Sequence, residues 1–218
     1  MQFDPALFIR QISIWAIPVL FAITLHEVAH GWVAERLGDK TARMLGRITL
    51  NPIKHIDPLG TVFVPLLMLA MGGFLFGWAK PVPITGQNLR NPRRDMALVA
   101  LAGPMANLVM AIFWAMVWKL ALILNISYFS VPLRLMGIAG VSINLILMLV
   151  NLLPVPPLDG GRVVSNLLPL RTSAKFDRIE PYGLMIMVIL LMTGILGSVL
   201  GPFFGFFQGM LALVFGLR

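Results

Sequence analysis

Cysteine is absent from all 218 residues, so the chain has no disulfide and no thiolate to offer a metal. Acid is scarce as well. Nine Asp and Glu stand against seventeen Lys and Arg, and charged residues make up 12% of the chain, where a soluble domain carries about a quarter. Hydrophobic residues at 58% and a mean hydropathy of +0.88 exclude an ordinary soluble domain. The strict alternation of an outer-membrane barrel is also missing, whereas several apolar runs reach the ~20 residues that cross a hydrocarbon core as helix. The chain therefore reads as an all-α polytopic membrane protein. A net charge of +8 does not make nucleic acid a partner, because the basic residues fall between the apolar runs, where anchors and cytoplasmic loops carry them.

Five to six membrane segments can be counted within one domain covering residues 1–218. The first, residues 7–33, holds Arg10 and Pro18, lacks a cleavage signal and is expected to stay as an anchor. A basic segment follows at 34–57. Residues 61–76 are apolar but broken by Pro65 and Gly72-Gly73, and they lead into Gly77-Trp78-Ala79-Lys80-Pro81-Val82-Pro83. Alternating prolines forbid a central strand but suit an edge strand. Further runs span 96–124, 135–153, 182–200 and, in part, 203–217. The connection at 125–131 has no Lys or Arg, while the other ends of the runs it joins meet basic segments, so the positive-inside rule puts those basic ends in the cytoplasm. The run at 61–76 then begins and ends on one side. A re-entrant hairpin turning at Gly72-Gly73 is expected, with a plain crossing helix as the alternative, and a small membrane-associated β element near residues 47–85; such irregular backbone needs shelter from lipid.

Three ionisable side chains interrupt the first run at His26-Glu27-Val28-Ala29-His30. Charge inside a membrane is costly and by default marks a functional site. On a helix the two histidines share a face and can reach one metal. Glu27 points about 100° away, where it can take a proton from water activated at that metal. Paired structural histidines are the bland alternative, but two of only three histidines spaced around a glutamate in an apolar helix argue against it. Catalytic zinc wants a third protein ligand and an open position. Asp159, after Pro154, Pro156 and Pro157 and before Gly160-Gly161, is a candidate ligand; from spacing alone it is equally an N-cap for the next helix. Asn107 can bond near the site or merely lie in a close helix contact through Ala102, Gly103 and Ala106. Asn144 is similarly placed. His55 and Asp57 offer a supporting or gating role, or simply order their loop.

The HEVAH motif, Asn51-Pro-Ile-Lys-His-Ile-Asp-Pro-Leu-Gly60, Phe76-Gly-Trp-Ala-Lys-Pro-Val-Pro83, Ala102-Gly-Pro-Met-Ala-Asn107 and Asn151-Leu-Leu-Pro-Val-Pro-Pro-Leu-Asp159-Gly-Gly161 together resemble the site-2 protease family of intramembrane zinc metalloproteases. The likeness covers about residues 20 to 165 and matches the compact branch without PDZ or CBS domains. It implies one Zn²⁺ per chain on His26, His30 and Asp159, water activation by Glu27, and a substrate or oxyanion contact at Asn151. It also supports Gly77 to Val82 as a strand that receives an unwound substrate by strand addition. The implied activity is hydrolysis of peptide bonds in or near transmembrane segments, with a membrane-spanning peptide as substrate and lipid as surroundings. A prokaryotic inner membrane is the expected location, with the site towards the cytoplasm. Two other readings use the same residues: a membrane-embedded peptidase for soluble peptides, and a metal transporter or channel whose His and Asp line an ion path.

Overall fold

The computed structural model describes residues 5–64, 77, 79–124, 126 and 128–217. Helix α1 runs from Pro5 to Arg36 and is followed by a short α2, Thr41–Met44. Irregular turns lead to α3, Pro92–Leu124, and α4, Ser130–Asn151. Then come α5, Asp159–Leu167; α6, Leu170–Asp177; α7, Gly183–Met192; and α8, Ile195–Phe215. Four helices are long and apolar enough to cross a membrane: α1 from Ile9, α3, α4 and α8.

The helix α3 is the organising element. It packs against α1, α4, α5 and α8. At 33 residues it is about 50 Å long at 1.5 Å per residue, more than the hydrocarbon core requires. Ala111, Trp114 and Ala115 of α3 meet Val141, Leu145, Met148 and Leu149 of α4 in the main apolar core. Small residues permit that approach. A Cβ at Gly140 would overlap the Trp114 ring, so the two backbones close to a distance that only glycine allows. Outward faces carry Phe21, Val109, Phe113, Ile123, Phe206 and Leu213, all exposed, as helix surfaces in contact with lipid require.

Several expectations change. The run at 182–200 is not one spanning helix: α7 ends at Met192, Gly194 takes φ +73°, and the long helix begins at Ile195. That left-handed residue breaks the hydrogen-bond ladder, and glycine adopts it without steric cost. The count of five to six membrane segments becomes four candidate spans among the described residues. Residues 65–76 and Trp78, which include the expected hairpin turn, lie outside them.

The expected β element is likewise not found among the described residues. Residues 79–85 are irregular and pair with no strand. Their chemistry explains it. Pro81 and Pro83 have no N–H, and three of the remaining donors are taken by other groups: Lys80 N–H by the His55 carbonyl, Val82 N–H by Glu27, and Thr85 N–H by Asp39. Asp39 is fully buried and also accepts from the Thr41 backbone and hydroxyl and the Asn88 amide. Burial raises its pKa, and these donors outweigh burial, holding the carboxyl below its ordinary value. One carboxylate thus ties the end of α1 to the turn that leads into α3.

Candidate metal centre

Helices α1 and α3 run antiparallel, and their facing positions keep step. His30 Nδ1 lies 2.7 Å from the Val99 carbonyl, and His26 Nδ1 lies 2.6 Å from Asn107 Oδ1. Val99, Gly103 and Asn107 are spaced by four, so they share one face of α3 opposite the two histidines, also spaced by four. Gly103 sits between the imidazoles. A Cβ there would come within 2.6 Å of the His26 ring, so the glycine vacates the space that the rings fill. Pro104, next to it, has no N–H for the Ala100 carbonyl and disturbs the helix ladder at this turn.

Asn107 is fully buried, and its orientation follows from its neighbours. Its NH₂ donates to the Ala22 carbonyl at 3.2 Å and to Asn144 Oδ1 at 3.0 Å, while the Asn144 amide donates to the Gly140 carbonyl at 2.8 Å. Ala22 and Gly140 offer only carbonyl acceptors, so both amides are fixed in direction and Asn107 Oδ1 must accept. His26 and His30 therefore carry their protons on Nδ1. Both Nε2 lone pairs then face inward, 3.1 Å apart.

Asp159 completes the cluster from α5. Its Oδ2 lies 3.1 Å from His26 Nε2 and 3.3 Å from His30 Nε2. All three residues are buried. Leu158, not Asp159, is the N-cap of α5, and no side-chain cap bond forms there, so the N-cap reading of Asp159 is replaced by a position in the first helical turn.

Three electron-pair donors pointed at one another repel unless a cation or proton lies among them. Tetrahedral zinc with bonds of about 2.0 Å separates its ligand atoms by about 3.3 Å, and the spacings here are 3.1, 3.1 and 3.3 Å. The donor set fits the ion. Two nitrogens and one carboxylate oxygen leave the fourth position open, as a catalytic site requires. The Nδ1 protons held by Asn107 and Val99 supply the supporting shell that orients histidine ligands. Asn107→Leu, close in shape but without the acceptor, is expected to weaken zinc binding about 10- to 100-fold, measured by competition with a zinc chelator.

Glu27 is half-buried on the neighbouring face of α1, and its Oε2 accepts the Val82 N–H at 2.7 Å. Asn151 turns its amide back to the Leu147 carbonyl at 2.9 Å. His55 is buried in its own loop, with Nε2 2.9 Å from the Thr49 carbonyl, where it orders residues 49–55. Of the proposed strand, Gly77 is exposed and Ala79, Lys80, Pro81 and Val82 lead up to Glu27. Sequence reasoning missed the Val99 carbonyl and the space at Gly103. The four-residue spacing of Val99, Gly103 and Asn107 was the available signal, but it has meaning only once α1 is known to lie opposite.

Comparison with known proteins agrees with this geometry. The profile described as "Peptidase family M50" matches residues 14–131 and 127–194. YwhC of Bacillus subtilis strain 168, named as a candidate zinc metalloprotease, is 40% identical over 189 residues, covering 85% of this chain and 83% of its own length. Rip2 of Mycolicibacterium smegmatis, named in the same terms, is 31% identical over 190 residues, covering 85% of this chain and 68% of its own. A more distant relative, the regulator of sigma E protease of Haemophilus influenzae, is 29% identical over 115 residues, 49% of this chain and 25% of its own. No solved structure matches.

Proposed function

The chain belongs to peptidase family M50, the site-2 protease family of membrane zinc metalloproteases, and from that premise we propose that it hydrolyses peptide bonds in or near transmembrane segments. The observation that carries the reading is the convergence of His26, His30 and Asp159 on one point inside the helix bundle, with a carboxylate on the adjacent face. A metal path through the membrane would repeat ligands along the helices. Here they gather at one point, and transport gives Glu27 no task.

In this proposal His26, His30 and Asp159 hold the ion. Zinc bound there supplies Lewis acidity to a water molecule and to the scissile carbonyl. Glu27 takes the proton of the attacking water and passes it to the amide nitrogen as the C–N bond breaks, yielding a carboxylate and an amine. Asn107, through its bond to His26 Nδ1, positions a ligand and does not touch substrate. Asn151 is assigned to the substrate carbonyl on family resemblance, which requires its amide to leave the Leu147 carbonyl. A single membrane domain, a substrate drawn from membrane-spanning segments and a site on the cytoplasmic side of a prokaryotic inner membrane complete the proposal. Support for that orientation comes from the basic residues flanking the runs.

Metal removal tests it. Purified protein in detergent should cleave a transmembrane peptide with one zinc bound per chain, lose cleavage on chelation and regain it with zinc. Hydrolysis that survives complete zinc removal would refute the proposal.

A further inference from the structure

Five backbone hydrogen bonds hold residues 80–85 across the face of α1 that carries Glu27, and a single side chain makes two of them. Arg47 donates from one terminal guanidinium nitrogen to the Lys80 carbonyl at 2.9 Å and to the Pro81 carbonyl at 3.2 Å. The peptide after Pro81 is the one whose N–H, on Val82, reaches Glu27 Oε2 at 2.7 Å. On either side, Lys80 N–H is held by the His55 carbonyl at 3.0 Å and Thr85 N–H by Asp39 at 2.6 Å. Val82 itself is buried, and its side chain lies against Gly31, one helical turn beyond Glu27.

We propose that Arg47 is a positioning residue for Glu27, acting through the backbone of residues 80–82; this rests on the peptidase reading above. A carboxylate on a helix surface rotates about its own bonds, and a general base must present one oxygen to water in a set direction. The Val82 N–H takes Oε2, which leaves Oε1 without a protein partner among the described residues. Prolines flank Val82, so no neighbouring N–H can replace it. From Pro81 to Pro83 the Val82 N–H is the one donor, so carbonyls are what a further group can hold there, and Arg47 holds the consecutive carbonyls of Lys80 and Pro81. Its Nε is buried without a partner. An unpaired donor of this kind is costly, and a guanidinium that served only as a surface charge would turn it to water. Both bonds come from one nitrogen whose N–H directions are fixed in the guanidinium plane, whereas a lysine ammonium rotates freely about its stem.

The test uses the full-length, zinc-loaded protein in detergent. Arg47→Ala should lower kcat on a transmembrane peptide about tenfold or more, within the span that a general base contributes. KM should stay within about twofold, zinc content should be unchanged, and Arg47→Lys should recover only part of the loss. Val82→Pro deletes the N–H, with a ring in place of the buried isopropyl group, and should reproduce the fall in kcat, and adding Arg47→Ala to it should cost little more, since residues acting through one contact are not additive. Hydrogen exchange gives a readout independent of activity. Pro81 and Pro83 carry no amide hydrogen, so Val82 is resolved with few overlapping amides, and its exchange should quicken about tenfold or more in Arg47→Ala while Thr85 changes little. Wild-type exchange at Val82 in Arg47→Ala, a loss confined to KM, or losses that multiply in the double variant would each overturn the proposal. Failure of the peptidase reading looks different: no variant of Glu27 would alter cleavage, yet Val82 exchange would still answer to Arg47.

Discussion

Glu27→Gln is expected to abolish peptide hydrolysis while one zinc stays bound per chain. The substitution is nearly isosteric, and glutamine keeps an amide oxygen able to accept the Val82 N–H that Glu27 Oε2 accepts at 2.7 Å. Neither the strap over residues 80–85 nor the three ligand atoms is disturbed. What disappears is a group that can accept a proton near neutral pH. General base catalysis is worth about 10²- to 10⁴-fold, so kcat should fall by at least that factor with little change in substrate affinity. Metal analysis and single-turnover cleavage of a detergent-solubilised transmembrane peptide measure the two quantities separately. Cleavage at wild-type rate would remove Glu27 from the mechanism, and loss of zinc would show that its role is to hold the centre together.

Asp159→Ala is expected to act in the opposite way, on the metal first. Its Oδ2 lies 3.1 Å from His26 Nε2 and 3.3 Å from His30 Nε2 and has no other partner among the described residues. Without it two histidines remain, one ligand short of the three that a catalytic zinc site uses. Zinc should be lost during purification, and activity with it. Helix stability should change little, because Leu158 occupies the N-cap of α5 and Asp159 makes no side-chain cap bond. A first-turn carboxylate contributes only about 0.3 to 1 kcal/mol through the helix dipole. Thermal unfolding of the zinc-free proteins separates the two roles. A variant that keeps full zinc but unfolds at markedly lower temperature would restore the structural reading of this aspartate.

Much of the centre was legible in the chain before any fold was known. His26, Glu27 and His30 are local: their relation follows from 3.6 residues per turn, and an apolar helix around them makes their presence costly enough to need a reason. Three apolar runs became long helices near their expected limits for the same local reason, since backbone groups in lipid must be satisfied within the helix. The break at Gly194 was harder to read. Nothing in an apolar sequence announces which of several glycines will take a positive φ; in α8 Gly197, Gly201, Gly205 and Gly209 stay helical.

The segment at 79–85 shows why a correct local inference can still miss the structure. Its prolines do exclude a central strand, and its backbone does lie beside Glu27. The inferred strand pairing fails because two of its positions are prolines and three of its N–H groups are committed to His55, Glu27 and Asp39, residues that are distant in sequence.

By itself, then, the sequence determined that this protein belongs in a membrane, and it picked out two candidate metal ligands and a candidate base beside them, because composition and helical periodicity act over short stretches of chain. Only the tertiary structure decided that Asp159 closes the centre, that Gly103 makes room for both imidazoles, that Asn107 and the Val99 carbonyl fix which ring nitrogens are free, and that Arg47 reaches Glu27 through the Val82 peptide. Those facts depend on α1, α3, α5 and an irregular loop meeting at one place. Hydrogen bonds to backbone atoms and the space left by a missing Cβ have no residue-level signature, so packing alone reveals them.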